Sequence, residues 1–321
     1  ENRVLLVRDE LRRSTSPGKH ALSIGVFDGV HKGHQALLSR MLSEAESRGI
    51  SGGVISFHPH PVTVIRPEIQ FSYLTSLEKR VELIRQAGAD FVSVLSFSSE
   101  LQQVSAKDFC EMLVQEAGLE VLVVGNDFRT GRNGEGDIEE LKKLGEQLGF
   151  EVIHLELIEN EDVKVSSTRI RAALAEGEME QVQSLLGHSY SLRGPILLGD
   201  QRGRTIGFPT INVGVSADRT LPPDGVYATM TKLLGNYFPS ITNIGSRPTF
   251  EVGKSRHVET HILDFDQDVY DEVATVEFLS RLRDEQKFQS PDELINQIQA
   301  DVENVRKYFS SRKFVSGESD D

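Results

Sequence analysis

The run from Ala21 to Leu38, ALSIGVFDGVHKGHQALL, limits what this chain can fold into more than any other stretch. Its opening residues Ala21, Leu22, Ile24, Val26 and Phe27 are apolar, and the run is short enough for a buried parallel strand. Asp28-Gly29 breaks the run. Leu37, Leu38, Met41, Leu42 and Ala45 then recur at helical spacing, so a helix starts near His31. His31 and His34, three residues apart, share a face of its first turn. Unpaired N–H groups and the positive end of the helix dipole attract an anion there, and Gly33 keeps side-chain bulk away from the backbone.

Two imidazoles beside open backbone donors suit a triphosphate attacked at its α-phosphorus. Each can donate a hydrogen bond to the non-bridging oxygens as charge redistributes. Two other readings stand beside this one. One is a pair of solvated histidines at a helix start; the other is a zinc site with ligands from His31, His34, His58 and His60. Zinc ranks lower, because metal-binding histidine pairs usually lie within a helix rather than at its anion-binding end.

The length of 321 residues predicts about two domains. A formal charge of −14 and a pI near 5.2 argue against an electrostatic nucleic-acid partner, although nucleotides need only a few local donors. No apolar run reaches membrane-spanning length, and ENRVLLVRDELRR has no apolar signal-peptide core. The single cysteine, Cys110, excludes an intramolecular disulfide and reads as packing beside Phe109 and Met112. A cytoplasmic protein without membrane or nucleic-acid partners is expected.

Strands and helices alternate through the first half, which predicts a parallel, doubly wound sheet. The strands are expected at Arg3 to Val7, the central run, Val54 to Phe57, Phe91 to Leu95, Glu120 to Val124 and Glu151 to His154. Helices are expected over Leu77 to Ala87 behind a Thr75–Glu78 capping box, from Ser105 through Ala117, over Asp137 to Leu148, and over Met179 to Leu186. Ligands of open α/β sheets bind at the C-terminal strand ends, and more polar strings follow there. His58-Pro59-His60-Pro61 reads as a proline-stiffened extended loop, with no helix possible across it. Gly125-Asn126-Asp127-Phe128-Arg129 leads into a glycine loop. Val165 to Arg171, VSSTRIR, opens a helix with three hydroxyls and two arginines, either as N-caps alone or as a second phosphate cradle. Neither GxxxxGK[ST] nor GxGxxG occurs.

From His188 the texture changes to short alternating runs split by Gly, Pro and Asp: Tyr190 to Arg193, Ile196 to Leu198, Val226 to Thr231, Phe238 to Ile244, Val258 to Leu263 and Ala274 to Phe278. These suggest a small antiparallel barrel. A final helix over Pro291 to Phe309, with Leu294, Ile298, Val302 and Val305 on one face, is expected to cover it. If Thr210 to Val213 is extended, Thr210 and Asn212 project to one face as neutral oxygen donors suited to Mg²⁺. Glu259, His261 and Leu263 are expected to share a face, and a carboxylate inside an apolar strand is unusual unless something uses it.

GVFDGVHKGHQ closely resembles the GxFDGxHxGH signature of the nucleotidyltransferase superfamily, in the form of its FAD synthetase branch. FHPHP, the Gly125–Arg129 segment and VSSTRIR resemble that family's other motifs, with departures at Thr130, where the family carries an aromatic, and over residues 132–136. GRTIGFPTIN, TNIGSRPTF and ETHILD resemble riboflavin kinase. The order of the two sets is that of the bifunctional prokaryotic riboflavin kinase/FAD synthetase family, and the chain is identified as a member.

The resemblance implies a Rossmann-like nucleotidyltransferase domain over residues 1–186, a β-barrel kinase domain with a C-terminal helix over 187–314, and an acidic tail over 315–321. It implies ATP-dependent phosphorylation of riboflavin to FMN, then adenylyl transfer from a second ATP to FMN, giving FAD and pyrophosphate, with Mg²⁺. In the kinase Glu259 would be the base, Thr210 and Asn212 the Mg²⁺ ligands, Gly203, Arg204, Thr205 and Gly207 the phosphate loop, and Arg247 a flavin contact. In the adenylyltransferase His31, His34 and Arg171 would act on the phosphates, with Gly25, Phe27, Asp28, Gly33, Asn126, Asp127, Ser166, Ser167 and Thr168 on the nucleotide. His58, Pro59, His60 and Phe128 would meet the flavin. Two alternatives are a kinase with a degenerate adenylyltransferase domain and a non-catalytic flavin-binding protein.

Overall fold

The computed structural model describes residues 2–156, 165–198, 202–247 and 255–312, in two compact units divided between Ser167 and Thr168. The first unit runs α1 (Asn2–Ser14), β1 (His20–Ile24), α2 (Lys32–Arg48), β2 (Ser51–His58), α3 (Pro61–Ile65), α4 (Leu77–Gln86), β3 (Phe91–Ser96), α5 (Ser99–Gln102), α6 (Ala106–Ala117), β4 (Leu119–Gly125), α7 (Ile138–Leu148) and β5 (Glu151–Leu155). Its sheet is parallel in the order β3-β2-β1-β4-β5, the doubly wound arrangement expected. Central β1 is buried at every residue, and its two polar side chains are satisfied there: His20 Nδ1 meets the Ala117 carbonyl oxygen at 2.7 Å and the Ser23 hydroxyl donates to the Val123 carbonyl at 3.0 Å. Leu22 and Ile24 join a core with Val7, Leu11, Phe109 and Leu141. Ala21 joins another with Leu38, Met41, Ala45 and Ile84.

Three local expectations are corrected. The leading strand at Arg3 to Val7 is helix α1. Burial selects Val7 (2% exposed) and Leu11 (0%), four residues apart, and leaves Leu5 and Leu6 outside at 58% and 49%. A short apolar run cannot distinguish strand from helix by periodicity alone. The cap of α4 is Ser76, whose hydroxyl accepts from the Lys79 N–H, while Thr75 turns inward. Pro61 opens the short helix α3 instead of extending a loop, because a first-turn proline sacrifices no helical hydrogen bond.

The second unit contains α8 (Ser167–Glu176, its first residue still in the first unit), α9 (Met179–Leu186), β6 (Tyr190–Leu197), α10 (Arg202–Thr205), β7 (Ile211–Val213), β8 (Gly225–Leu233), β9 (Asn236–Arg247), β10 (Ser255–Ile262), β11 (Val273–Arg283) and α11 (Pro291–Ser311). The strands close an antiparallel barrel in the order β10-β7-β6-β11-β8-β9. The two strands expected around Gly194-Pro195 are one. Gly194 is needed there because a Cβ would lie 1.7 Å from the Gly214 carbonyl oxygen. β7 lies within Thr210 to Val213, the stretch whose extension was the condition for putting Thr210 and Asn212 on one face, and its three residues bridge β6 and β10. Inside, the buried hydroxyls of Thr231, Ser240, Thr229, Thr242 and Thr260 satisfy one another in a chain of 2.7–2.9 Å contacts. Val305 of α11 packs on Val226, Ala228, Ile241 and Leu263, and Asp301 pairs with Arg283 at 2.8–3.1 Å.

Candidate active sites

A cavity of about 610 Å³ opens at the C-terminal ends of β1 and β4, where the strand order reverses. The turn from β1 into α2 builds it. Phe27, Gly29 and Val30 have φ of 57°, 85° and 41°. For β-branched Val30 this costs about 1–3 kcal/mol. Buried Asp28 holds the turn: its carboxylate accepts from the Leu74 and Thr75 N–H groups at 3.1 Å and from the Thr75 hydroxyl at 3.2 Å. Thr75 Oγ1 in turn accepts from the Gly29 N–H at 3.0 Å, and the Gln35 amide donates to the Val30 carbonyl at 2.8 Å.

His31 is the N-cap of α2, and its Nδ1 accepts from the His34 N–H at 3.3 Å, so the neutral ring carries its proton on Nε2. The two imidazoles stack at 3.7 Å and 16°, with the Phe27 ring 5.0 Å from His34. Burial pushes His31 down to about 4 against the pull of Asp28. Burial, then the His31 and Arg80 charges, push His34 well below the usual imidazole range. Both rings are therefore neutral at pH 7.

Of the expected residues, Gly25, Phe27, His31, Gly33, His34, Asn126, Asp127, Phe128, Ser166 and Ser167 line this cavity. Asn126 Oδ1 meets His154 Nε2 at 2.6 Å, and the Ser167 hydroxyl donates to the Asp28 carbonyl at 3.1 Å, tying the start of α8 to the turn. The Asp28 side chain does not line it, because that carboxylate holds the Leu74–Thr75 backbone. Exposed Thr168 and half-buried Arg171 lie farther along α8 and are not among its described lining residues. Nor are His58, Pro59 and His60, which gather with two aromatics the sequence reading missed. His60 stands 4.1 Å from Phe71, His58 lies 5.8 Å from Tyr73, and the His60 N–H donates to the Tyr73 hydroxyl at 2.7 Å. His60 Nδ1 caps α3 at Val62 N, and among the described residues no three His, Cys, Asp or Glu side chains are grouped to hold a metal. The glycine loop after Phe128 is a closed turn, bridged between Thr130 and Gly136 and pinned where Glu135 accepts from the Ala106 N–H at 3.0 Å.

In the barrel, Glu259 of β10 lies in register between Asn212 of β7 and Asn243 of β9. The Thr210 hydroxyl donates to Glu259 Oε1 at 2.7 Å, and Asn212 is the cross-strand register partner of Glu259. Asn243 was not singled out beforehand; its Oδ1 is buried without a hydrogen-bond partner among the described residues. Leu263 does not continue the Glu259–His261 row, since β10 ends at Ile262 and Leu263 is buried in the cluster under α11. Gly203 and Thr205 fall in the one-turn helix α10 rather than an open loop, with Gly207 just beyond at φ 84°. The Phe208 N–H donates to the Gly203 carbonyl at 2.8 Å, and a Cβ on Gly203 would lie 2.2 Å from the Phe208 oxygen. A small pocket of about 50 Å³ adjoins Thr210, Thr260 and Tyr270. The side chains of Arg204 and Arg247 and the 315–321 tail lie outside the described residues.

The family model for FAD synthetase matches residues 13–169, and that for riboflavin kinase matches residues 186–309. Over 297 residues the chain is 35% identical to the bifunctional riboflavin kinase/FMN adenylyltransferase of Bacillus subtilis (strain 168), covering 91% of this chain and 93% of that one. This chain belongs to the bifunctional riboflavin kinase/FMN adenylyltransferase family. The Escherichia coli (strain K12) enzyme of that name is 36% identical over 294 residues, covering 91% and 93%. A crystal structure described as a macrolide-efflux protein from Streptococcus pneumoniae aligns with a TM-score of 0.85 at 31% identity, covering 92% of this chain and 96% of that one. No helix among the described residues is long and apolar enough to cross a membrane. The family's two parts divide the two sites: the cavity beside His31 and His34 falls in the FAD synthetase match, and Thr210, Asn212 and Glu259 fall in the riboflavin kinase match.

Proposed function

We propose that the chain makes FAD from riboflavin in two steps at two separate sites, one in each unit. The observation that carries this reading is convergence: in each unit, motifs far apart in sequence meet at one place. Thr210 reaches Glu259 at 2.7 Å in the barrel, and Ser167 bonds the turn that presents the stacked histidines.

In the barrel, ATP phosphorylates the terminal ribityl hydroxyl of riboflavin, giving FMN and ADP. Glu259 aligns that hydroxyl and takes its proton late, since an alcohol is too weak an acid to ionise beforehand. Thr210 and Asn212 would hold Mg²⁺. A hydroxyl that gives its hydrogen to a carboxylate keeps lone pairs for a cation, so the donor set fits. When bound, the ion neutralises charge on the transferring phosphates. Gly203, Thr205 and Gly207 would shape the phosphate end of the same site.

In the α/β unit, the FMN phosphate attacks the α-phosphorus of a second ATP, and the bond to pyrophosphate breaks. The nucleophile is already anionic, so no protein nucleophile is needed. The His31 Nε2–H, the His34 ring, the first-turn N–H groups of α2 and the Ser166 hydroxyl stabilise the charge on the α-phosphate as neutral hydrogen-bond donors, while the Ser167 hydroxyl holds the Asp28 carbonyl of the turn. His58, Pro59, His60 and Phe128 would meet the flavin. The α/β unit and the barrel unit carry the two activities in a cytoplasmic enzyme.

Product analysis after incubation with riboflavin, ATP and Mg²⁺ tests the reading. FMN followed by FAD is expected, with ADP and pyrophosphate released. Accumulation that stops at FMN would leave a kinase alone, and tight flavin binding without ATP consumption would leave a binding protein.

A further inference from the structure

Arg80 of α4 is the largest fully buried side chain among the described residues, at 0% exposure. Its Nη1 donates to the Val26 carbonyl at 2.7 Å and reaches the Phe57 carbonyl at 3.4 Å. The Ser56 hydroxyl also donates to the Val26 carbonyl, at 3.1 Å. The Arg80 Nε and Nη2 are buried with no hydrogen-bond partner among the described residues. Such an arrangement is costly: a buried cation with unpaired donors loses hydration that two carbonyls do not replace, and an apolar side chain would fill the volume more cheaply. The position of the two carbonyls is the informative part. Val26 directly precedes the strained Phe27–Val30 turn that sets His31 and His34, and Phe57 directly precedes His58-Pro59-His60. Tyr73, whose hydroxyl accepts from the His60 N–H, has its ring centroid 5.9 Å from the guanidinium carbon. The Arg80 charge also helps keep His34 neutral.

We propose that Arg80 is a positioning residue for adenylyl transfer, pinning the exits of β1 and β2 so that the histidine turn and the His58–His60 loop keep one fixed spacing. The proposal rests on reading the α/β unit as the FMN adenylyltransferase. If the histidine turn holds the ATP phosphates and the His58–His60 loop holds the flavin, their spacing sets the in-line approach of the FMN phosphate to the α-phosphorus. A spacing error then lowers turnover while leaving the separate affinities for ATP and FMN nearly intact.

The test uses the full chain, with kcat and both KM values for FAD formation, melting curves, and FMN formation by the same preparation as the internal standard. Arg80→Met is expected to lower the adenylyl kcat about 100-fold with each KM within threefold. Arg80→Lys, which keeps the charge and a donor, is expected to restore most of that loss. A methionine variant with parental kcat, or one changed only in KM, overturns the proposal. So does a lysine variant as slow as the methionine one. If methionine unfolds the unit, Arg80→Lys combined with Ser56→Ala decides. Both act on the Val26 carbonyl, so their effects on kcat should combine non-additively by about threefold or more, and simple multiplication of the two effects overturns it. A parent that forms no FAD refutes the functional reading and the proposal together. A parent that forms FAD, beside a methionine variant equal to it, refutes the proposal alone.

Discussion

A histidine whose Nδ1 accepts its own helix's N–H has little choice of tautomer, and that bond is compatible only with an unprotonated Nδ1. His31 is in this position, and burial reinforces it by holding the ring down to about 4. The unfolded chain binds a proton here below the ordinary value of 6.5 while the folded chain does not. Stability from this group is therefore complete above pH 6.5 and is lost as pH falls toward 4, by roughly 3 kcal/mol over the window. An NMR titration of the imidazole protons should place the His31 midpoint near 4; a midpoint at 6.5 would mean a solvated ring. In the barrel, the expectation concerns the register partner of Glu259. Asn212→Ala should weaken Mg²⁺-dependent FMN formation, with partial recovery at higher Mg²⁺, because one neutral oxygen donor is lost while the Thr210–Glu259 bond remains. Kinase kinetics matching the parent across a Mg²⁺ series would leave Asn212 an ordinary strand residue.

At the scale of elements, the segments legible in the sequence are those whose local chemistry and tertiary burial agree. Met179–Leu186 has the bounds expected, and Ser105 and Asp137 cap α6 and α7 through their side chains. Glu259, Thr210 and Asn212 each stood out as a chemistry-bearing side chain, but only the resemblance to riboflavin kinase joined them into one set. Arg80 was not: LEKRVELIRQ looks like a helix with a solvated charged face, and only packing shows that its arginine points inward. Asp28 was likewise legible as important but not as a structural clasp, since its partners Leu74 and Thr75 lie 46 and 47 residues away. β7 was legible only as a condition, the extension of Thr210 to Val213, because three residues carry no periodicity. In α1 the local β-like run Val4 to Val7 is overruled by Val7 and Leu11 packing into the core and by Arg12 bonding Glu116 of α6 at 3.0 Å. Leu11→Ala should therefore cost about 2–5 kcal/mol, read by denaturant unfolding of the α/β unit. A loss below about 0.5 kcal/mol, the range of surface substitutions, would mean that α1 is not part of that core.

At the scale of the whole molecule, each unit has its own core and its own candidate site, so if each site runs one of the proposed reactions the two should be separable. α9 is part of the second unit, contacting β6 and β11 and burying Val182, Leu185 and Leu186. A fragment over residues 168–321 should fold and turn riboflavin into FMN but make no FAD, because the histidine turn and the cavity beside it are absent. A fragment starting at Gly187 loses α9 and should melt at a lower temperature. Within the full chain, Glu259→Gln keeps the side chain's shape while removing its basicity, and the Thr210 hydroxyl can still donate to the amide oxygen. It should abolish FMN formation from riboflavin, while supplied FMN still becomes FAD at close to the parental rate. His34→Ala should do the reverse, slowing FAD formation by about 100-fold and leaving FMN formation unchanged. If Glu259→Gln instead removes both activities with its melting temperature unchanged, the carboxylate serves a shared site, and assigning one reaction to each unit is wrong.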